Sequence, residues 1–183
     1  MANEIARRLV ERFGTLGDVL AARPEERKAV SGYGPEVEQA LQNLHTAMEQ
    51  VLHGRIVDRP VLSSEPAVLD YLRARIAFAP VEHFRVLFLN AANRLLADEE
   101  FAIGTVTAVH VYPREIVRRC LELGATAIVL AHNHPSGDPE PSPADRLMTD
   151  AIARAASCFD VVIHDHLVLA RRGSVSFRRA GYL

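Results

Sequence analysis

Residues 127–145 read AIVLAHNHPSGDPEPSPAD, and the pattern of this stretch sets the order of the elements around it. A short apolar run leads directly into His-Asn-His, as expected for an interior strand that ends at a polar edge. Pro135 has no amide proton to donate to a neighbouring strand, so it ends the pairing and begins a loop. Ser142 then occupies the N-cap position of a helix whose first residue is a proline. The stretch therefore predicts a strand, a stiff loop and a helix over residues 143–157.

The flanking segments continue this mixture of strands and helices. Besides the helix at 143–157, helices are predicted at residues 65–76 and 113–123, and strands at 82–89, from 94 onward, and at 125–131, 161–163 and 167–170. Interleaved elements of this kind are typical of a sheet with helices packed on its faces. We therefore predict an α/β (α+β) fold for residues 60–183, built as a mixed β-sheet flanked by helices.

Residues 1–53 show only helical patterns. Apolar residues recur at the spacing of one helix face in the first segment, and Pro35 suits the first turn of a longer helix. The composition changes near His53 and Gly54, before the first strand pattern begins. We therefore predict a small all-α module over residues 1–54 ahead of the mixed domain.

The composition excludes several classes of protein. The chain has 183 residues, of which 49% are hydrophobic and 24% charged, as in ordinary globular proteins. No apolar run reaches the length of a membrane span, and the N-terminus lacks the apolar core of a secretion signal, so we expect a cytoplasmic protein. Cys120 and Cys158 lie far apart in helical segments and are predicted to be free thiols in the core. The net charge of −2 lacks the basic excess typical of nucleic-acid binders.

Two histidines and an aspartate in the opening stretch form a candidate metal site. Side chains alternate across a strand, so His132 and His134 point to the same side if the strand continues through them. Asp145 falls in the first turn of the following helix, and the loop can fold back to bring that turn to the strand end. Two nitrogens and one carboxylate oxygen leave a fourth position open, which is the pattern of a catalytic zinc site.

Each half of this candidate site also has a purely structural interpretation. His-x-His is common, and Ser142 with Asp145 matches a capping box, in which the side chains only satisfy amides at the helix end. The combination of both halves across a Gly/Pro loop at this spacing favours a metal site. Nothing in the spacing distinguishes hydrolysis of an amide from that of an ester or a phosphodiester.

The same residues resemble a known motif. His132-x-His134, seven residues, Ser142, two residues and Asp145 resemble the JAMM (JAB1/MPN+) metalloprotease motif. Three segments are similar to the RadC family of bacteria: HNHPSGDPEPSPAD at 132–145, PREIV at 113–117 and DHLVLA at 165–170.

This resemblance, dense over residues 60–183 and weaker over 1–53, implies both a fold and an activity. The implied fold is the JAMM/MPN domain, of cytidine-deaminase-like architecture. The implied activity is that of a zinc metallohydrolase, a metallopeptidase or isopeptidase acting on a peptide or protein substrate. In the family pattern the two histidines and the aspartate hold Zn²⁺, Ser142 helps to stabilise the oxyanion, and an upstream glutamate activates the attacking water.

Four glutamates are candidates for that upstream residue. Glu99 and Glu100 belong to an acidic run that we expect to be solvated, and Glu115 lies in a first helical turn, where the helix dipole favours an acid in any case. Glu82 shares a strand face with apolar residues, and a carboxylate in such a position should end at a site or find a partner. The resemblance also places the glutamate at the start of this strand. We therefore predict Glu82, with an exposed strand-start residue as the structural alternative.

A second His-x-His occurs at His164-Asp165-His166, in an apolar context. RadC-like sequences carry the Asp-His pair at this place. We therefore predict that His164 and His166 support the fold or the metal ligands and do not ligate the metal themselves.

The segment Ser31-Gly32-Tyr33-Gly34 between two predicted helices resembles the helix-hairpin-helix module of RadC proteins, whose backbone amides bind nucleic-acid phosphates. Residues 1–50 contain six Lys/Arg but eight Asp/Glu, and binding to DNA depends on basic contacts. We therefore expect at most a weak DNA contact through residues 31–36, with packing or a protein contact favoured. Further helices precede this module in the family, so it is expected to be incomplete here.

An alternative function belongs to a different class. The chain would then be a DNA-associated protein of repair or mobile-element biology, with a nuclease or a non-catalytic role. The complete set of His132, His134 and Asp145 together with Ser142 and Glu82 argues against a non-catalytic relic, because a relic is free to lose ligands.

Overall fold

The computed structural model describes residues 2–57, 59–61, 65–104 and 111–183. Four helices come first: α1 (Ala2–Phe13), α2 (Leu16–Ala21), α3 (Pro24–Lys28) and α4 (Pro35–Gly54). Then follow α5 (Glu65–Leu72), which continues as a π-helical turn (Arg73–Ala77), β1 (His83–Leu89), β2 (Leu95–Ile103), α6 (Pro113–Leu123), β3 (Ala127–Asn133), α7 (Pro143–Ser157), β4 (Val162–Ala170), β5 (Gly173–Ser176) and α8 (Phe177–Ala180). Among these helices, none combines the length and the apolar character needed to cross a membrane.

The strands form one mixed sheet in the order β2-β1-β3-β4-β5. Strand β1 is antiparallel to both β2 and β3, β3 is parallel to β4, and β4 is antiparallel to β5. Strand β3 lies at the centre, and every one of its residues is buried. The prediction of a mixed sheet flanked by helices, preceded by a helical region, is confirmed.

The central strand separates two cores. Ala127, Val129 and Ala131 face a core closed by α5 and the π-helical turn. Ile128 and Leu130 face a second core closed by α6 and α7. Because both faces are covered, β3 reads as a continuous apolar run with no polar alternation.

Several predicted elements match the structure closely. Helix α6 spans the predicted 113–123 and ends at Gly124, whose φ of 64° is a left-handed cap that favours glycine. Helix α7 spans the predicted 143–157. Both cysteines are free thiols, and Cys120 is buried as predicted, but the prediction that Cys158 lies in the core was wrong, because it is exposed at the C-terminal end of α7.

The prediction of two strands at 161–163 and 167–170 was wrong. Both belong to β4, which continues through the polar residues between them. The register with β3 steps from Ile163 to Asp165, so His164 is an extra residue in a β-bulge. The sequence analysis also missed β5 and α8, which are short and carry few apolar residues.

The four N-terminal helices form a small unit that is docked on the sheet domain. Leu9, Val19 and Val30 make its core. A side chain at Gly17 of α2 would meet the ring of Phe78 at 2.5 Å, so the helix backbone lies directly against that ring. The division into a module over 1–54 and a domain over 60–183 remains a prediction.

The turn at residues 31–34 connects α3 to α4 as expected. Its Tyr33 hydroxyl donates a hydrogen bond to Glu38 inside the helical unit. Glu36 and Glu38 occupy the first turn of α4, where a bound phosphate would otherwise find the positive end of a helix dipole. The weak DNA contact through residues 31–36 remains a prediction, and these two carboxylates disfavour it.

The acidic run at 98–100, expected to be solvated, is not uniformly so. Glu100 is exposed, but the Asp98 side chain is only 5% exposed. Asp98 accepts a hydrogen bond from Arg85 Nε at 2.9 Å and another from the Tyr71 hydroxyl. The sequence could not show this, because Arg85 meets Asp98 only through the pairing of β1 with β2.

Replacing Arg85 with Met is expected to lower the free energy of unfolding by about 3–5 kcal/mol, because Asp98 is then left as a buried, uncompensated charge. Urea unfolding followed by circular dichroism measures the loss. The matched control is Arg119→Met, which removes the more exposed ion pair with Glu99 of the same strand and should cost far less. Equal losses in the two variants would contradict the assignment of Arg85 and Asp98 as a buried pair.

Candidate metal centre

The end of β3 brings the two predicted histidines together. His132 Nε2 and His134 Nε2 lie 3.0 Å apart, so both rings face the same side as strand alternation predicted. The His132 side chain is fully buried, and that of His134 is 13% exposed. The pair therefore forms the inner end of a site that opens toward solvent at His134.

Asp145 reaches this pair from the first turn of α7. Its Oδ2 accepts hydrogen bonds from the Ser142 amide at 2.8 Å and from Ser142 Oγ at 2.6 Å. Its Oδ1 lies 3.4 Å from His132 Nε2. The capping box and the metal site are thus not alternatives, because the capping oxygen Oδ2 also lies 3.4 Å from His134 Nε2, while Oδ1 faces His132 Nε2.

A chain of hydrogen bonds behind His132 fixes the protonation of its ring. The Thr149 hydroxyl donates to the Asp145 carbonyl at 2.6 Å, so it can only accept from His166 Nδ1, also at 2.6 Å. His166 is neutral, since burial lowers its pKa well below the ordinary value, and its Nε2 is therefore an acceptor. His132 Nδ1 must then carry the proton donated to His166 Nε2 at 2.8 Å. The lone pair of His132 Nε2 is left facing the site.

His134 is fixed in the same way from the other side. Its Nδ1 lies 2.8 Å from the carbonyl oxygen of Asp138, which can only accept a hydrogen bond. His134 Nδ1 therefore carries a proton, and Nε2 is free to bind a cation. The Asp138 carbonyl belongs to the loop between β3 and α7, so that loop orients the ligand as well as returning the chain to Asp145.

The resulting arrangement fits a metal ion. Two imidazole nitrogens and a carboxylate oxygen converge, with ligand atoms from the three residues all within 4.8 Å of one another. Three acceptors that face one another repel unless a cation lies between them. Without a metal, the hydrogen bond with Asp145 raises the pKa of His134, so that a proton partly fills this role. Two nitrogens and one oxygen with a fourth position open are typical of catalytic zinc sites.

Glu82 lies directly before β1, and its carboxylate is close enough to interact electrostatically with all three candidate ligands. Burial is the main cause of its raised pKa; His132 and His134 act to lower it. The side chain makes no hydrogen bond or ion pair within the described part of the chain. A half-buried carboxylate with no partner beside a site of this kind is available to accept a proton.

Sequence analysis missed Asn133, the residue between the two histidines. Its side chain points away from the site, where Oδ1 accepts from the His83 amide at 2.7 Å and Nδ2 donates to the Val81 carbonyl at 3.0 Å. Asn133 therefore holds the backbone on both sides of Glu82. A buried amide in an apolar strand must find partners, and this requirement was the signal that could have identified it.

The two histidines of the second His-x-His, His164 and His166, lie on opposite faces of the sheet. His166 contacts His132, as described, and so supports a ligand as predicted. His164 Nε2 instead lies 2.6 Å from Asn93 Oδ1, in a cavity of the opposite face. The β-bulge at His164 explains why residues two apart do not share a face.

Comparison with known proteins agrees with this geometry. A family described as the RadC-like JAB domain matches residues 62–182. The chain is 51% identical over 179 residues to a UPF0758 protein of Rhodobacter capsulatus, an alignment that covers 98% of this chain and 84% of that protein. It is 44% identical over 179 residues to a UPF0758 protein of Ruegeria pomeroyi, covering 98% and 80% of the two chains. The N-terminal helices therefore lie almost entirely within the region shared with these relatives.

The variant His166→Leu is expected to bind zinc about 10- to 100-fold more weakly, because His132 loses the acceptor that fixes its tautomer and ring orientation. Competition with a chromogenic chelator measures the affinity. The matched control is His164→Leu, the same substitution two residues away on the other face of the sheet, which should leave zinc affinity unchanged. Equal affinities in both variants and the wild type would show that His166 does not orient the ligand.

Proposed function

Because this chain belongs to the RadC-like JAB domain family, whose pattern is that of JAMM-type metal-dependent hydrolases, we propose that it is a zinc-dependent hydrolase that cleaves peptide or isopeptide bonds. The observation that carries the proposal is the convergence of three acceptor atoms beside an unpartnered carboxylate. His132 Nε2, His134 Nε2 and an oxygen of Asp145 converge, and Glu82 lies next to them.

The proposed metal ligands are His132 Nε2, His134 Nε2 and Asp145 Oδ1. A zinc ion held there would supply Lewis acidity toward a carbonyl oxygen and would make water acidic enough to ionise near neutral pH. His166 and Asp138 keep the two rings in the orientation that ligation needs. The Ser142 amide holds the remaining carboxylate oxygen of Asp145.

Glu82 is the proposed general base. It takes the proton from the attacking water and passes it to the leaving amine as the scissile bond breaks. Its raised pKa suits this double role, since a base that is too weak would not accept the proton and one that is too strong would not release it. Asn133 fixes the backbone before and after Glu82, which limits the positions the carboxylate can take.

Ser142 is the proposed donor to the oxyanion that develops on the substrate carbonyl. Its hydroxyl has a single proton, which in this structure is donated to Asp145 Oδ2. Donation to the oxyanion therefore requires the hydroxyl to turn away from Asp145, while the Ser142 amide keeps its own hydrogen bond to Oδ2. Ser142 would thus act after substrate arrives, and the helix cap would survive the change.

The alternative of a DNA-associated protein has weaker support from the residues described. The net charge is −2, and the turn at 31–34 is followed by Glu36 and Glu38 in the first turn of α4. Phosphate binding normally relies on basic side chains and free amides at such a place. The hydrolase accounts for a set of buried polar residues that a non-catalytic DNA-binding role would leave without a function.

The purified protein, prepared without chelator or metal-affinity resin, is expected to contain about one zinc per chain, as a site with three protein ligands and one open position implies. Elemental analysis measures the content. His132→Ala and Asp145→Ala should each contain none, since two remaining ligands do not hold the ion. A wild-type protein that takes up no zinc even when the metal is added back would refute the proposal.

Glu82→Gln is expected to keep its zinc and to lose at least about 100-fold in turnover of peptide or lysine-isopeptide substrates, since it removes the base and leaves the ligands. Quenched-fluorescence peptide pools provide the assay. The control is Glu115→Gln, which alters an exposed ion pair and should keep full turnover. Comparable losses in both variants would remove Glu82 from the mechanism.

A further inference from the structure

An open cavity of about 730 Å³ lies between the helical unit and the sheet domain, beside the candidate metal centre. On the side of the sheet domain it is lined by Pro135 and Ser136, which directly follow the ligand His134. Consecutive Cα atoms lie only about 3.8 Å apart, so this part of the wall starts one residue after the candidate ligand His134. Pro80, two residues before Glu82, also lines it.

The opposite wall comes from the N-terminal helices. Phe13, Ala21 and Ala22 give it an apolar surface. This wall is held in place because α2 packs on Phe78 at Gly17, and because the α4 side chain of Glu49 pairs with Arg75 at 2.5 Å. Both parts of the chain therefore line the cavity, and the lining is partly apolar and partly charged.

Two arginines in this lining have no partner. Arg171 and Arg172 form the exposed turn between β4 and β5, and neither makes a hydrogen bond or an ion pair within the described residues. The residue after them, Gly173, lies against Pro139 of the ligand loop, where an added Cβ would be 3.3 Å from the proline ring. The turn that contains Arg171 and Arg172 therefore packs against the loop that follows the candidate ligand His134.

The other charged groups of the cavity are already occupied. Arg23 pairs with Glu26 at 3.1 Å. The Asp18 carboxylate accepts from the Thr15 hydroxyl at 2.7 Å, and this bond is the main cause of its lowered pKa, to which Arg171 and Arg172 add. The lining therefore carries three arginines and two carboxylates, a net charge of +1, and Arg171 and Arg172 are the arginines in it that make no hydrogen bond or ion pair within the described residues.

We propose that this cavity is a substrate subsite for a peptide segment that carries an acidic side chain close to the cleaved bond. Its size is that of an ordinary ligand pocket, its apolar walls suit peptide side chains, and its two free guanidinium groups suit a carboxylate. Asp18 and Glu26 on the same wall repel any anion, but they oppose the continuous charge of a nucleic-acid backbone more than a single carboxylate that pairs with the two arginines. The inference rests on the proposed peptide hydrolase and extends it to a substrate class.

The test measures binding separately from cleavage. Zinc-loaded Glu82→Gln protein is titrated against two fluorescein-labelled octapeptide pools, one containing Glu and the other Gln at the same positions, and binding is followed by fluorescence polarisation. The Glu pool is expected to bind more tightly, and this preference should weaken with added salt. Adding Arg171→Gln and Arg172→Gln should weaken binding of the Glu pool about tenfold and leave the Gln pool unchanged.

The matched control changes the same amount of charge elsewhere. Arg94→Gln with Arg154→Gln removes two exposed arginines that lie outside the cavity and should keep the preference for the Glu pool. Ala22→Trp, which fills the cavity from the helical wall, should weaken binding of both pools while the zinc content stays the same. These two variants separate an effect of the cavity from an effect of net charge.

The outcomes distinguish this inference from the proposed function. Equal binding of both pools, in a protein that holds zinc and cleaves peptides, would overturn the inference and leave the hydrolase standing. The Arg171→Gln/Arg172→Gln protein could instead lose affinity for a labelled single-stranded oligonucleotide and keep its affinity for the Glu pool. That result would also overturn the inference, in favour of phosphate binding. A preference for the Glu pool in a protein that cleaves nothing would overturn the hydrolase and leave the acidic-peptide site standing.

Discussion

The hydrogen bond between His132 and His166 is the contact on which the arrangement of the site depends. It joins two strands that the chain connects only through α7, and it requires β3 and β4 to run parallel in one register. Buried imidazoles are costly unless each nitrogen has a partner, so the same requirement extends to Thr149 and from there to the backbone of α7. A single network thus fixes the sheet, the helix and the direction of a lone pair.

Strand β3 combines two demands that usually conflict. It must be apolar enough to lie buried between two cores, and it must end in the polar groups that form the candidate metal site and hold the segment of Glu82. The two demands are met by different parts of the strand. The apolar residues come first, and the polar residues lie at its C-terminal end, next to the loop. Asn133 faces one way to hold the segment of Glu82, and His132 faces the other way to the metal site. Alternation along one strand therefore serves both the candidate metal site and the placement of Glu82.

The features that sequence analysis predicted are those with local signals. Pro143 and Gly124 mark helix ends through their own backbone preferences, and strand alternation was enough to place His132 and His134 on one side. The features it missed depend on which strands become neighbours. The burial of Asp98, the partners of Asn133 and the role of Thr149 all require the pairing of distant segments, which no local pattern encodes. The polar residues in the middle of β4 led to its prediction as two strands. Their partners lie on other segments of the chain, so no local sequence pattern shows that these residues belong to a strand.

Because of the β-bulge at His164, the face to which each side chain of β4 points depends on the number of residues in the strand. Upstream of the bulge the faces alternate in one phase, and downstream in the other, so the single extra residue decides that His166 and not Asp165 turns toward His132. Inserting one residue between the bulge and His166 would invert the phase and turn His166 to the other face of the sheet, although every original side chain would still be present. Segments grafted between relatives, or designed to carry this centre on another sheet, must therefore preserve the number of residues here even where their identities are free to vary.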